Sequence, residues 1–318
     1  MTGPTASVAV ITYERPDFVA RCLDHLLAQT RPPLEILVID SSTGRDTEQL
    51  LGERYPTVGY LRSAAGAGAM ATARDLGYRS TRGEVLAFVD DDAFAEPEWL
   101  EMLLPPYGDP TVGAVGGRQI RGQPDETTEG VDDIGRLRED GTLSGNFSAD
   151  PGRIVEVDHL LGANMSFRRS VLDRIGGIRD GYGGTCVREE TDLCLRVAHA
   201  GYRLVYTPDA VVEHVAAPYA KGRRFDLRYA YWAQKNHLIV LIRNFGPAGP
   251  IVRTYLATSL RQAARAFLAR LGRDGDGHRD GALRGAAAGG ARLAVVLGAT
   301  VSGTVTGWVL RRRDRRDR

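Results

Sequence analysis

Short apolar runs alternate along the N-terminal part of the chain with longer stretches whose apolar residues recur at helical spacing. The apolar runs, each predicted to be a strand, are Ser7–Thr12, Leu34–Asp40, Val58–Leu61 and Glu84–Asp90. The stretches predicted to be helices are Pro16–Ala28, Asp46–Arg54 and Ala69–Arg79. Continuous apolar runs are typical of parallel strands that are covered on both faces. The alternation therefore predicts a doubly wound α/β fold.

The regular pattern weakens after Val115 and returns about forty residues later. Residues 116–158 are rich in Gly, Asp, Glu and Arg, which predicts long loops or a hairpin. Regular structure resumes at GANMSFRRSVLDRIGG. The stretch REETDLCLRVAHAGYRL then predicts a helix that ends at Gly201, and VYTPDAVVEH predicts an extended segment.

Charge divides the chain into two regions, although the net charge of the whole is only +1. Residues 1–218 contain 21 Arg and 34 acidic residues, a net charge of −13. Residues 219–318 contain 20 basic and 6 acidic residues, a net charge of +14. We therefore expect an α/β domain over 1–218 and a separate basic, helical region over 219–318.

Carboxylates follow two of the predicted strands at their carboxyl ends, where open α/β sheets bind ligands. Asp40 ends one strand, and Asp90-Asp91-Asp92 end another in the stretch VLAFVDDDAF. Three adjacent carboxylates repel one another, and burying them without partners is costly. They could form a solvated turn that caps a helix. Alternatively, they could hold Mg²⁺ or Mn²⁺, which proteins bind through carboxylates together with substrate phosphates.

A glycine-rich turn supports a rival hypothesis. Gly66–Ala71 has the G-x-G-x-x-A spacing of a dinucleotide fingerprint, and Asp90 follows at about the distance expected of a ribose-binding acid. The turn follows the third predicted strand, however, whereas the fingerprint normally follows the first strand of its unit. A nicotinamide-dependent oxidoreductase is therefore the alternative and not the main prediction.

Several blocks of the sequence together resemble family 2 glycosyltransferases. They include VAVITYERPDFVARCLDHLLAQ, LEILVIDSSTGRDT, ARDLGYRSTRGEVLAFVDDDAF, LGANMSFRRSVLDRIGGI and EETDLCLRVAHAGYRLVYTPDAVVEH. The blocks occur in the family's order and cover roughly residues 7–216. The resemblance implies a GT-A fold, which is a Rossmann-like, mostly parallel sheet that binds a nucleoside-diphosphate sugar.

The resemblance also implies which residues bind the donor. Asp40 resembles the acid that hydrogen-bonds the nucleobase or its ribose. The other residues of the implied donor site are Thr12, Glu14, Arg74, Asp75, Asp90, Asp91 and Asn164. Asn164 lies in the turn Gly162–Met165, which by resemblance lines the sugar and acceptor pocket. Glu14 and Asp75 both stand where the family usually has Asn.

A metal site and a catalytic base are implied in the same way. Asp92 resembles the direct metal ligand and Asp90 the acid that acts through ribose or a metal-bound water, while His214 resembles a further ligand. Glu190 occupies the place of the catalytic base, and Glu189 and Asp192 are the neighbouring candidates. Acids in the first turn of a helix can also simply be stabilised by its dipole.

The basic C-terminal region predicts helices and a membrane-associated extension. Residues 228–245 resemble the helix that commonly follows the catalytic domain in this family. Residues 251–272 mix apolar residues with arginines at near-helical spacing. Leu293–Leu310 is uncharged over 18 residues, the lower limit for spanning a bilayer, and arginines follow it. A packed helix or a disordered basic tail are the alternatives. The arginines lack interleaved aromatic residues, so we do not expect nucleic-acid binding.

Together these features predict an inverting, metal-dependent glycosyltransferase. It would transfer a sugar to an acceptor hydroxyl from the cytoplasmic face of a membrane, because the sequence shows neither a signal peptide nor a disulfide framework. The acceptor could be lipid-linked, a cell-envelope glycan or a secondary metabolite. Besides the oxidoreductase, a non-catalytic nucleotide-sugar-binding protein remains as an alternative.

Overall fold

The computed structural model describes residues 3–121, 130–184, 186–215, 217, 226–273 and 279–316, without the side chains of residues 269–289. The chain forms two compact units. The first, called the sheet unit, comprises Met1–Leu137, Leu143–Asp180 and Glu189–Ala220. The second, called the helical unit, comprises Arg138–Thr142, Gly181–Arg188 and Lys221–Arg318. The predicted boundary between residues 218 and 219 lies outside the described residues.

One mixed β-sheet forms the centre of the sheet unit. Its strands are β1 (Ala6–Thr12), β2 (Glu35–Asp40), β3 (Gly59–Arg62), β4 (Val85–Asp90), β5 (Ala93–Ala95), β6 (Val112–Ile120), β7 (Val155–Glu156), β8 (Asn164–Arg168) and β9 (Arg203–His214). Their order is β3-β2-β1-β4-β8-β6-β9-β5, and β7 also pairs with β9. The pairs β1–β2, β1–β4 and β2–β3 are all parallel, as predicted. Strand β8 is antiparallel to both β4 and β6, so the sheet becomes mixed beyond β4.

Helices and apolar side chains cover both faces of this sheet. The helices of the sheet unit are α1 (Pro16–Leu27), α2 (Asp46–Arg54), α3 (Met70–Ser80), α4 (Trp99–Leu103), α5 (Arg169–Ile175) and α6 (Glu189–His199). Successive side chains of a strand point to opposite faces. Val8 and Val10 of β1 accordingly join one buried cluster with Leu23 of α1, whereas Ala9 and Ile11 join the other. Burial on both faces explains why the strands have continuous apolar sequences.

The strand register gathers the predicted site residues at one edge of the sheet. Thr12 at the end of β1 is opposite Asp40 of β2, and Ile11 is opposite Asp90 of β4. His214, the last residue of β9, is opposite Ala93 of β5, which directly follows the three aspartates. The carboxyl ends of β1, β2, β4 and β9 therefore meet where the sequence predicts a ligand.

The region predicted as loops or a hairpin begins later than expected. Strand β6 continues to Ile120, because Val115, Gly116 and Gly117 pair in register with β9. Gly117 is required here, since a Cβ atom would lie 2.0 Å from the carbonyl oxygen of Ala210. Residues 130–154 are mostly irregular, with one isolated bridge between Leu137 and Leu143. Residues 122–129 lie outside the described part of the chain.

Three long helices form most of the helical unit: α7 (Leu227–Phe245), α8 (Pro250–Arg273) and α9 (Arg279–Arg316). Helix α9 packs closely against α7. Gly303 and Gly307 lie at this contact, where an added Cβ atom would be 2.8 Å from the Lys235 carbonyl oxygen and 3.2 Å from the Ile239 Cα. The predicted helices are confirmed. The predicted polar break at residues 272–281 lies partly outside the described residues.

A buried ion pair joins the C-terminal parts of α7 and α9. Arg243 Nε and Nη2 each donate to one carboxylate oxygen of Asp314, both at 2.9 Å, and the Arg243 side chain has no exposed surface. A bidentate pair of this kind fixes the orientation of both side chains. The pair therefore fixes α7 against α9 just beyond the close contact at Gly303 and Gly307.

Part of α9, Gly290–Arg316, is long and apolar enough to cross a membrane, judged by length and composition. Its most apolar window has a mean hydropathy of 1.7, and only 17% of that window is buried. Five large apolar side chains, here called the α9 stripe, are exposed: Leu297, Val301, Val305, Trp308 and Val309. Their spacing of three or four residues places them along one side of the helix.

Candidate active site

Two carboxylates and one imidazole form a compact cluster at the carboxyl edge of the sheet. One potential ligand atom from each of Asp90, Asp92 and His214 lies within 4.8 Å of the other two. His214 Nε2 is 3.2 Å from Asp92 Oδ1. Carboxylate oxygens are the ligands that Mg²⁺ and Mn²⁺ prefer, and imidazole is a common additional ligand for transition metals. The donor set therefore fits a divalent cation, and it unites the three residues predicted for that role.

Asp92 is largely buried, yet its surroundings favour the ionised form. Burial alone would raise the pKa of Asp92, but the hydrogen bond and charge of His214 outweigh it and, together with Arg15, lower that pKa. The backbone N–H of Ala217 also donates to Asp92 Oδ2 at 2.8 Å. Asp92 is thus held as a carboxylate, the form in which a hard cation would bind it.

Asp91, between the two cluster acids, points into the protein. Its side chain is fully buried, and it accepts a hydrogen bond from Thr12 Oγ1 at 2.6 Å. Arg15 pairs with it through Nη2 at 2.5 Å. Burial raises the pKa of Asp91 to about 7, against the opposing effect of the Arg15 charge. The structure therefore does not bring Asp91 to the ligand atoms of the cluster, and Thr12 is occupied in supporting it.

Asp40 is fixed at the end of β2 by two donors. Its Oδ1 accepts from the Ser42 backbone N–H at 2.8 Å, and its Oδ2 accepts from the Tyr60 hydroxyl at 3.0 Å. Burial and the neighbouring Asp40 charge raise the pKa of Tyr60 to about 12, so Tyr60 stays a donor at neutral pH. The Asp40 carboxylate is therefore held rigidly at the edge where β1 and β4 also end.

Glu14 organises the loop after β1. It has a left-handed backbone with φ 54°, a conformation that residues other than Gly rarely adopt. Its Oε1 accepts from both the backbone N–H and the hydroxyl of Thr43, at 2.7 and 2.6 Å. The Thr43 hydroxyl makes the largest contribution to lowering the pKa of Glu14. Glu14 thus links the loop after β1 to the loop after β2.

Arg74 connects the acidic cluster with the first turn of α6. Its fully buried guanidinium donates from Nη2 to Asp90 Oδ1 at 3.0 Å and to the Gly162 carbonyl at 3.2 Å. Nη1 of the same group pairs with Glu189, whose side chain also has no exposed surface. Sequence analysis found both Arg74 and Glu189 but not their pairing, since nothing in the local pattern relates positions so far apart.

Asp75, the next residue on α3, faces another direction. Its carboxylate accepts from Arg79 Nε at 2.7 Å and from the backbone N–H of Ile178 at 3.1 Å. Consecutive residues of a helix point about 100° apart, so Asp75 cannot share the direction of Arg74. The structure therefore does not bring Asp75 beside Asp90.

Asn164 serves as a connector between strands. Its Oδ1 accepts from Trp99 Nε1 at 2.9 Å, while its Nδ2 donates to the carbonyls of Arg118 and Ala210 at 3.0 and 2.9 Å. The residue is almost fully buried. The strand register pairs Asn164 with Val89, the residue before Asp90, while its amide is engaged by three groups of the protein.

Three acids occupy the first turn of α6: Glu189, Glu190 and Asp192. The helix dipole favours negative charge at this position. Glu189 is tied to Arg74, and Asp192 is 1% exposed, whereas Glu190 retains 9% exposure. Glu190 is therefore the most accessible of the three carboxylates in the described structure.

Part of the site, including Asp40, Arg74, Asp90 and Asp92, lies within a segment that identifies the family, whereas His214 and the acids of α6 follow that segment. Residues 7–176, more than half of the chain, match the model for "Glycosyl transferase family 2". The chain therefore belongs to this family and is a glycosyltransferase. Membership excludes the nicotinamide oxidoreductase, and the turn Gly66–Ala71 indeed follows β3 and not the first strand.

One similar protein is the glucosyl-dolichyl phosphate glucuronosyltransferase of Haloferax volcanii. It is 29% identical over 220 residues, which cover 65% of this chain and 68% of that protein. Glycosyltransferase AglE of the same organism is 24% identical over 229 residues, which cover 69% of this chain and 70% of that protein.

A solved structure shows the same fold. It is that of the mannosyltransferase PcManGT from Pyrobaculum calidifontis in complex with GDP-Man and Mn²⁺. The TM-score is 0.58 at 22% identity, and the match covers 97% of this chain and 87% of the other. The fold predicted from the sequence, a GT-A fold with a C-terminal helical extension, is confirmed.

Proposed function

We propose that this glycosyltransferase uses a nucleoside-diphosphate sugar and transfers its sugar, with inversion, to an acceptor hydroxyl. The proposal depends above all on Asp90, which belongs to the acidic cluster and also accepts a hydrogen bond from Arg74. Through Arg74, the cluster is connected to Glu189 at the start of α6. The continuous arrangement of the acidic cluster, Arg74 and the acids of α6 supports a donor site placed beside the base.

The donor would lie along the carboxyl edge of the sheet. Asp40 would accept hydrogen bonds from a nucleobase or ribose, and Glu14 would shape the loop beside it. Asp90, Asp92 and His214 would hold Mg²⁺ or Mn²⁺, which when bound stabilises the negative charge of a leaving nucleoside diphosphate. The similar structures of PcManGT, with GDP-Man and Mn²⁺, and of GalNAc-T7, with UDP and Mn²⁺, support this class of donor.

Glu190 is the proposed general base. It would accept the proton of the acceptor hydroxyl as the oxygen attacks the anomeric carbon, and a single displacement inverts the configuration. Glu189 is less suited to this role, because its carboxylate is paired with the buried Arg74 guanidinium. Asp192 is less accessible than Glu190. The rigid first turn of α6 would keep the base in place.

For the acceptor we propose a lipid-linked sugar. The name of the Haloferax volcanii relative describes transfer of a glucuronosyl group to glucosyl-dolichyl phosphate, which is a lipid-linked sugar. The exposed α9 stripe of this chain and the arginines that follow it at residues 311–313, 315 and 316 suit an anionic membrane surface. We therefore propose that the protein acts at the cytoplasmic face of a membrane.

Calorimetric titration tests the donor class directly. UDP, GDP, dTDP and NADH are each titrated into the full-length protein with and without Mn²⁺. We expect one nucleoside diphosphate to bind and its affinity to increase when Mn²⁺ is present, while NADH does not bind. The proposal fails if none of the three diphosphates binds, or if their binding is unchanged by Mn²⁺.

A further inference from the structure

The segment Gly181–Arg188 leads directly into the first turn of α6 and is part of the helical unit. The described residues of this segment have an unusual backbone. Gly181 and Gly184 have φ values of 102° and 70°, and Cys186 and Arg188, which are not glycines, have φ values of 56° and 85°. A left-handed conformation at a residue other than Gly is unfavourable and persists only where surrounding contacts enforce it. Contacts from α7 reach Gly183, Gly184 and Val187, which are neighbours of these residues.

Asn236 of α7 binds this segment at two points, Gly183 and Val187. Its Nδ2 donates to the carbonyl of Gly183 and to the carbonyl of Val187, each at 3.1 Å. The residue has no exposed surface. Both amide hydrogens of one side chain are therefore used to hold two carbonyls that are four residues apart, and water cannot readily replace them.

Trp232, one helical turn before Asn236, fixes the middle of the same segment. Its ring packs against Gly183 and Gly184, where an added Cβ atom would lie 2.7 and 2.2 Å from ring atoms. Residues four apart on a helix share a face. Trp232 and Asn236 thus act together, and only glycine fits beneath the ring.

We propose that Asn236 is a positioning residue for the catalytic carboxylate of α6. Glu190 follows Arg188 by two residues, so the conformation of Gly181–Arg188 sets where the first turn of α6 begins. A misplacement of about 1 Å in a reacting group can reduce turnover about 10²-fold. The inference rests on the proposed function, because it takes Glu190 as the base. It adds a residue of the helical unit to the requirements of the reaction.

The test compares Asn236→Ala with a matched control on the same helix. Asn244→Ala removes an amide that donates to the Val240 carbonyl of α7 itself, at 2.9 Å. We expect Asn236→Ala to lower kcat at least tenfold, with the Kd of the nucleoside diphosphate and Mn²⁺ and the KM for donor within about twofold of wild type. Asn244→Ala should leave kcat unchanged. Equal kcat values for the two variants would overturn the proposal.

Hydrogen–deuterium exchange provides a readout independent of turnover. In Asn236→Ala, the amides of residues 183–190 should exchange faster, while those of β1 and β4 keep their wild-type rates. Asn236→Asp has nearly the same shape but lacks both donors, and it should behave in the same way. Unchanged exchange in residues 183–190 of both variants would show that Asn236 does not hold the segment.

A double-mutant cycle separates this inference from the function on which it rests. If Asn236 acts through Glu190, adding Asn236→Ala to Glu190→Gln should lower kcat no further. Additive losses would show that Asn236 acts elsewhere and would overturn the proposal. If Glu190→Gln alone keeps full turnover, the assignment of the base fails. The exchange experiment then still decides whether Asn236 positions the segment.

Discussion

Arg74 Nη2 lies 3.0 Å from Asp90 Oδ1, and both groups are removed from bulk solvent to a large extent, with side-chain exposures of 0% and 20%. Nη1 of the same guanidinium pairs with the fully buried Glu189. One cation therefore compensates two carboxylates that belong to different parts of the proposed site. Burying charges is tolerable only when such pairing is retained.

Removing this cation should destabilise the protein strongly. Arg74→Met is expected to lower the free energy of unfolding by about 3–5 kcal/mol, because it leaves Glu189 buried without its partner. Urea unfolding measures the loss. Arg79→Met is the control, since the Arg79–Asp75 pair lies at the surface with Arg79 64% exposed and should contribute only about 0.3–0.5 kcal/mol. Adding Glu189→Gln to Arg74→Met should recover much of the stability.

Asp92→Asn should weaken the binding of divalent cations. The substitution removes a charged oxygen ligand and leaves a neutral amide, which hard cations bind less tightly. Calorimetric titration with Mn²⁺ and a nucleoside diphosphate should show at least a tenfold increase in Kd, or about 1.4 kcal/mol. Asp109→Asn, which changes a carboxylate that is paired with Arg203 at the surface, is the control. Equal Kd values for the two variants would remove Asp92 from the metal site.

Glu190→Gln should affect the rate and spare donor binding. The amide has the shape of the carboxylate but cannot accept a proton, so turnover should fall about 10²- to 10⁴-fold if Glu190 is the general base. The Kd of the donor nucleotide should stay close to that of wild type. Near-normal turnover with the native acceptor would make Glu190 a structural residue, and the base would then be sought at Glu189 or Asp192.

Asn164→Leu tests whether Asn164 contacts the donor or supports the fold. In the structure its amide serves Trp99 and the carbonyls of Arg118 and Ala210. Leaving each buried carbonyl without its donor should cost about 1–3 kcal/mol in the free energy of unfolding. The variant should still bind the nucleoside diphosphate with wild-type Kd at low temperature. A large loss of affinity without a loss of stability would support the donor-binding role implied by the sequence.

Polar substitutions in the α9 stripe should reduce membrane binding. Val301→Ser, Val305→Ser and Val309→Ser remove apolar surface from the exposed side of α9 and leave Gly303 and Gly307 against α7. Burial contributes about 0.8 kcal/mol per CH₂ group, so co-sedimentation with anionic phospholipid vesicles should weaken at least tenfold. The control, Leu260→Gln with Leu268→Gln, places polar groups on the exposed surface of α8. Equal losses in the two variants would argue against the stripe as the membrane contact.

Periodicity and strand-end position were sufficient to predict much of this protein. The parallel strands have apolar runs because both faces are buried, and Asp40 and Asp90 follow such runs directly. The grouping of Asp92 with His214 was implied by the family resemblance and is present in the structure. The first of these features depends on local sequence and on the general geometry of parallel sheets, whereas the second depends on the resemblance to the family.

Contacts between distant positions could not be predicted in the same way. The pairing of Arg74 with Glu189 and the three-way use of the Asn164 amide arise from tertiary packing. Asp91 belongs to a run of three acids, but its side chain points away from those of its two neighbours. It therefore has Arg15 and Thr12 as partners. From charge alone the three aspartates are equivalent. In the structure their side chains point in different directions and have different partners.

Two segments that interrupt the sheet unit, Arg138–Thr142 and Gly181–Arg188, belong to the helical unit. They determine how this enzyme can be divided into fragments. Asn236 donates to Gly183 and Val187, and the neighbouring His237 donates from Nε2 to the carbonyl of Gly141 at 2.7 Å. A recombinant piece ending at residue 218 would keep every strand of the sheet but lose the donors for these three carbonyls. We expect such a piece to keep the proposed nucleotide site and to lose transfer activity, because the segment that precedes α6 would lack its Asn236 contacts. On the proposed function, the smallest piece capable of transfer is then one that includes α7.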